Sequence, residues 1–125
     1  MSYNVAQTYQ ANQVTTAPPE ELTLMLYNGG IKFLRLAKAF LLEKKLDKVH
    51  ENALKVQAIL SELMNTLNPA YAVSEQMRSM YDYMLRRTIE ANMKKDAAIF
   101  DEVEEFFIQF RDTWKQAIVL SKNRG

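Results

Sequence analysis

Turns are scarce in this chain, and that constrains its fold more than any other feature. Its 125 residues hold three glycines, Gly29, Gly30 and Gly125, and three prolines, Pro18, Pro19 and Pro69. A sheet-rich domain needs a turn at every strand end, so the scarcity argues for a few long helices. At 14.5 kDa the chain suits one domain, long enough to bury a real core.

The apolar residues recur at helical spacing. A first helix is expected from Pro19 to about Leu42. Pro18-Pro19 suits its entrance, and Glu20 and Glu21 suit the positive end of its dipole. It is apolar on two faces. One carries Leu22, Met25, Leu26, Gly29, Phe33, Leu36 and Phe40, the other Leu24, Tyr27, Ile31, Leu34 and Leu41. Such a helix belongs at the centre of a bundle. Gly29-Gly30 inside it mark a close approach by a neighbouring backbone or a mild bend.

A second helix, capped by Asp47, repeats Val49, Ala53, Val56, Leu60, Leu63 and Leu67 at alternating intervals of four and three, and Asn68-Pro69 ends it. Ser74 is the expected cap of a third helix, with Met77, Met80 or Tyr81, Met84, Thr88 and Ala91 along one side. Asp96 caps a fourth, which carries Ile99, Phe100, Val103, Phe106, Phe107, Phe110, Trp114, Ala117 and Ile118. Each segment spans about 18–24 residues, roughly 27–36 Å. Short links make successive helices antiparallel. The expected fold is therefore all-α: an up-down four-helix bundle over 18–121, with a loosely ordered polar arm at 1–17 and a short tail at 122–125.

Several function classes fall away. With no cysteine and one histidine, thiolate and two-histidine metal sites are excluded. His50 reads as a surface or capping residue. Ser61, Ser74 and Ser79 lack an evident base, and Asp101, Glu102, Glu104 and Glu105 read as a solvated face. No enzyme activity and no cofactor is expected. Sixteen basic against fifteen acidic side chains give a charge of +1, without the basic excess of a dedicated nucleic-acid binder. Neither a bilayer-spanning apolar run nor a secretory leader is visible, so a cytoplasmic protein is the expectation. Basic residues on the third helix, among them Arg78, Arg86 and Arg87, face an acidic fourth helix, which would specify their pairing.

What is left over is apolar girth. A small bundle has one central seam per helix, and the surplus aromatic and methionine side chains suggest a groove for an amphipathic partner helix. Tyr27, Tyr83, Phe107 and Trp114 are its candidate lining, with core burial the competing role for each; Phe110 is assigned to the core. A structural homodimer or adaptor burying the same surface against itself is the alternative.

Three motifs then carry a resemblance. Residues 16–29, Thr-Ala-Pro-Pro-Glu-Glu-Leu-Thr-Leu-Met-Leu-Tyr-Asn-Gly, resemble the signature of the flagellar secretion chaperone family, FliS. So do Met80-Tyr81-Asp82-Tyr83-Met84-Leu85-Arg86-Arg87 with Glu90-Ala91-Asn92, and Phe110-Arg111-Asp112-Thr113-Trp114-Lys115-Gln116-Ala117. With Tyr9-Gln10 and Val14 the resemblance covers essentially the whole chain. It implies a cytosolic chaperone that binds the C-terminal segment of flagellin, prevents premature polymerisation and assists delivery to the flagellar type III export apparatus. In the arm, Tyr3, Val5, Tyr9 and Val14 are spaced apolar groups able to pack on an exposed groove. The resemblance adds that this segment acts as a latch over the client site or a contact with the export gate. Neither membrane insertion nor nucleic acid enters this scheme; weak homodimerisation is compatible with it.

Overall fold

The computed structural model describes residues 18–124. Four helices follow one another: α1 (Pro19–Leu42), α2 (Leu46–Asn65), α3 (Val73–Lys94) and α4 (Ala97–Arg124). The carbonyl of Pro18 accepts the amides of Glu21 and Leu22 at 3.0 and 2.9 Å, opening α1 where the prolines were expected to. α1 closes with Lys44 in the left-handed region, φ 59°, which lets the Lys45 amide reach back to the Phe40 carbonyl at 3.0 Å. α4 continues to Arg124, so the expected 122–125 tail is helical as far as it is described.

Two expected caps are replaced by other devices. α2 begins at Leu46, after Lys45 and with no side-chain cap, and Asp47 lies in its first turn instead. α3 begins at Val73. The Ser74 hydroxyl donates to the Asn68 carbonyl, tying down the connector rather than capping the helix. Asn68 also accepts the Ala70 amide through its side chain at 2.9 Å, a local turn around Pro69. Asp96 does cap α4, its carboxylate accepting the Ala98 amide at 2.9 Å.

Successive helices pack side by side, and α4 returns to pack on α1. The cross-helix pairs fix their directions. Lys38 meets Asp101, Tyr27 meets Phe107 and Glu20 meets Trp114, so numbers fall along α1 as they rise along α4. His50 meets Asn92, and Arg78 meets Met64, so α2 and α3 are antiparallel; Arg87 with Glu102 and Tyr81 with Phe110 give the same result for α3 and α4. The fold is the expected up-down bundle.

Its core follows the seams. Val49, Ala53, Val56, Leu60 and Leu63 of α2 are buried, joined by Ile59. Of the two apolar faces of α1, the one bearing Tyr27, Ile31 and Leu34 points inward together with Leu26 and Ala37, while Leu36 stays exposed. Each large aliphatic side chain buried in this way contributes about 1.5–3 kcal/mol. Gly30 does serve a close approach, but to an aromatic ring rather than to backbone. A Cβ there would lie 2.6–2.9 Å from three atoms of the Phe107 ring.

The acidic face of α4 is divided between two neighbours. Arg87 of α3 bonds Glu102 at 2.7 Å, as the charge pattern predicts. Arg35 and Lys38 of α1 converge on Glu104 at 3.0 and 2.5 Å, and Lys38 also meets Asp101 at 2.5 Å. Arg86 stays within α3, on Asp82. Exposed pairs stabilise little; Glu104, which is buried, is the member that ties α1 to α4.

Candidate functional site

The two ends of the bundle differ in how well the core is closed. At one end the chain turns tightly through residues 43–45 and 95–96. Leu34, Ala37, Val49, Ala53, Val56, Thr88, Ala91, Phe100 and Val103 are fully buried in the layers leading to it, and only at its rim are Leu42, Leu46 and Met93 exposed. At the other end α1 starts, α4 finishes, and residues 66–72 connect α2 to α3. Here Leu22, Met25, Met64, Leu67, Met77, Met80, Phe110, Trp114 and Ile118 are only half-buried. Among the described residues, four of six methionines lie at this open end.

A cleft of about 240 Å³ lies there between the start of α1 and the last turns of α4, lined by Glu20, Trp114, Ala117, Ile118, Ser121 and Lys122. The Trp114 indole N–H donates to the Glu20 carbonyl at 2.7 Å, and this bond holds the ring across the cleft. Farther along α4, Val119 and Leu120 are more than half exposed and line a second hollow with Lys115 and Gln116.

Deeper in, two hydroxyls meet. Tyr27 of α1 and Tyr81 of α3 approach to 2.6 Å, O to O, across the centre of the bundle, because α1 and α3 are not packing neighbours. Their rings rest on Phe110 at 5.9 and 6.0 Å, and Tyr27 also meets the Phe107 ring edge-on at 6.4 Å. Burial pushes the Tyr81 phenol well above its ordinary range, reinforced by Tyr27 alongside. Burial raises Tyr27 as well, partly offset by its bond to Tyr81. Both phenols are therefore neutral.

The four groove candidates are not brought together. Tyr27 and Phe107 are 3% and 0% exposed and belong to the core, a correction to their placement on an open groove. Gly30 supplies the hollow that takes the Phe107 ring, and the Tyr81 hydroxyl holds Tyr27 inward. Tyr83 is half-buried on the α3–α4 flank, its ring edge-on to Phe106 at 6.0 Å and its hydroxyl donating to Glu102 at 3.1 Å. Trp114 alone stands at the open end. The arm candidates Tyr3, Val5, Tyr9 and Val14 lie outside the described residues. Sequence reasoning passed over Met25, Met64, Met77 and Met80 as a group. The available signal was that each lies within about two turns of a helix terminus that the up-down topology brings to one end.

Among the described residues, no cluster of three or more His, Asp or Glu side chains could hold a metal ion, and no helix is long and apolar enough to cross a membrane. His50 sits at the closed end, where its Nδ1 pairs with the Asn92 carboxamide nitrogen at 2.8 Å.

Comparison with known proteins bears on the same segments. The family model described as Flagellar protein FliS matches residues 1–121. The flagellar secretion chaperone FliS of Bacillus subtilis (strain 168) is 50% identical over 110 residues, covering 88% of this chain and 83% of the relative. That of Salmonella typhimurium is 28% identical over 114 residues, covering 89% and 84%. That of Escherichia coli (strain K12) is 26% identical over 124 residues, covering 91% and 86%.

Proposed function

Since this chain belongs to the FliS family of flagellar proteins, we propose that it is a cytoplasmic chaperone for flagellin export. It binds the C-terminal segment of flagellin, prevents its premature polymerisation and assists its delivery to the flagellar type III export apparatus. It is a holding protein and not an enzyme.

The observation that carries this proposal is the group of half-buried Met25, Met64, Met77 and Met80 gathered beside Trp114 at one end of the bundle. Methionine adapts to irregular apolar partners, and an aromatic anchor adds contact area at low entropy cost. An amphipathic client segment seated there would complete the unfinished layers. Ordering that segment offsets part of the gain, which keeps the complex releasable at the export gate. The arm, through Tyr3, Val5, Tyr9 and Val14, is a latch over the same surface or a contact with the gate.

Isothermal calorimetry with the purified C-terminal segment of the cognate flagellin tests the proposal. A discrete one-to-one complex is expected, and alanine at Met77 or Met80 should weaken it while leaving the melting transition nearly in place. No heat of binding between folded chaperone and soluble segment would refute it. The exposed Val119 and Leu120 favour a second reading, a helical homodimer joined through the last turns of α4. Light scattering that gives a dimer insensitive to the flagellin segment would select it.

A further inference from the structure

The oxidisable sulfur of this chain is all methionine. No cysteine is present, so a mild oxidant meets no thiolate that would consume it first. The six described methionines fall into three classes of access. Met84 is fully buried in the core, and Met93 stands 79% exposed at the rim of the closed end. Met25, Met64, Met77 and Met80 lie between these extremes, half-buried at the open end. The side chains that furnish the adaptable apolar surface for a client are therefore also open to solvent in part while that surface is empty.

We infer that Met25, Met64, Met77 and Met80 are a reversible oxidation site, through which a peroxide switches off client binding by the empty chaperone. This rests on the chaperone reading above. The step is a two-electron oxygen transfer. The thioether sulfur attacks one oxygen of hydrogen peroxide, the O–O bond breaks as the S–O bond forms, and the other oxygen leaves as water. Sulfur is oxidised and the peroxide reduced. Two thiols reverse it, taking the oxygen out as water while they close to a disulfide, the reaction that methionine sulfoxide reductases carry out.

Placement decides what the added oxygen does. A sulfoxide is a polar acceptor, and the apolar face of a bound client offers it no donor, so seating the client strips water from it without compensation. In the free protein water still reaches the same oxygen, and the bundle is spared most of that cost. Met84, whose oxidation would break the core, is out of reach. At Met93 the oxygen stays in water whether or not a client is bound. Oxidation at the open end is thus aimed at binding rather than at folding. A seated client covers the four methionines and shields them, and the shielding and the loss of affinity are two sides of one linkage. Loaded chaperone is spared, and empty chaperone is withdrawn until it is reduced.

The test treats the full chain with dilute hydrogen peroxide, removes the excess with catalase, and then measures calorimetry against the purified C-terminal flagellin segment. Peptide mass mapping follows each methionine, and a thermal melt follows the fold. Met93 should oxidise first, the four open-end methionines next and Met84 last. Affinity should hold while Met93 alone is converted, then fall about tenfold once the open-end methionines follow, with the melting transition nearly in place. Methionine sulfoxide reductases with a thiol reductant should restore it. Peroxide added to the preformed complex should oxidise Met93 and spare the other four. Met93→Leu should keep both the affinity and its sensitivity to peroxide, whereas Met77→Leu/Met80→Leu should lose a smaller share of its own affinity than the wild type loses. Undiminished affinity after conversion of the four would overturn the inference while leaving the chaperone function in place. So would a loss that the reductases do not reverse, a loss that tracks unfolding, or equal oxidation of the four with and without the segment. An untreated wild type that does not bind the segment would remove the underlying reading, and this one with it.

Discussion

Replacing Gly30 by alanine adds one methyl group at the most crowded point of the bundle. The new Cβ would stand 2.6, 2.7 and 2.9 Å from three atoms of the Phe107 ring. Carbon atoms in good contact lie about 3.5–4.0 Å apart, so the ring must retreat by about 1 Å. It is fully buried and already edge-on to Tyr27. Overpacking of this kind costs about 1–3 kcal/mol, and the displacement of a whole ring puts the cost in the upper part of that range. Alanine's better helix propensity returns about 1 kcal/mol. The net loss is about 1–2 kcal/mol, a fall of roughly 4–8 °C in Tm for a bundle of this size. Thermal and urea melts of Gly30→Ala measure it. Phe107→Leu removes the ring edge, and Gly30→Ala made in that background should become neutral or mildly stabilising. A rise in Tm for Gly30→Ala alone, or an equal loss in both backgrounds, would refute the packing argument.

Alkaline pH should weaken the fold through groups on both sides of the core. Tyr27 and Tyr81 keep their protons in the native state above the ordinary phenol value of 10.0, whereas the unfolded chain gives them up there. The native state then binds more protons, and stability falls as pH rises past about 10. Desolvation lowers Lys38, but its hydrogen bonds and charge pairing with Asp101 and Glu104 outweigh this and hold it above 10.5. Its contribution is complete below 10.5 and is lost as pH climbs through the raised native value. Urea midpoints from pH 8 to 11.5 should fall along this course, and less steeply in the double Tyr27→Phe/Tyr81→Phe variant. Lys44→Gly should stabilise by about 1 kcal/mol, since glycine adopts φ 59° freely. Lys95→Gly, at φ 51°, should gain less on a urea melt, because it also loses the Nζ bonds to the Asn92 carbonyl and carboxamide. Deleting residues 2–16 should leave the helicity of the bundle intact and speed association with the flagellin segment in stopped flow. Unchanged rates would rule out the latch.

Much of the architecture was legible because it depends on one-dimensional periods. The 4–3 spacing from Val49 to Leu63 named five of the buried residues of α2, and Asp96 stood where a helix had to restart. The failures share a cause. Asp47 and Ser74 have the right chemistry for caps, but the backbone around Lys45 and the Asn68–Ser74 bond set the helix starts elsewhere. α1 is apolar on two faces, and periodicity alone does not say which one faces the axis. That choice is made by tertiary contacts: Gly30 admits the Phe107 ring, and the Tyr81 hydroxyl holds Tyr27 inward. The open end escaped notice because it belongs to no single segment. It exists only when four helix termini from distant stretches of chain are brought level.

The placement of the connections has a kinetic consequence. Links of three and two residues, 43–45 and 95–96, join α1 to α2 and α3 to α4 at the closed end, while seven residues, 66–72, span the other. Each pair of helices is thus a hairpin clamped at the same end, and the two hairpins together resemble tongs with a stiff spring and loose tips. Local opening should start at the tips and die away toward the spring. Amide hydrogen exchange ought therefore to be graded along every helix: fastest near Leu22, Met64, Met77 and Ile118, slowest near Leu34, Val56, Thr88 and Val103. A ligand that grips only the tips would slow exchange most where it is fastest, and so would flatten the gradient without adding a hydrogen bond at the clamped end.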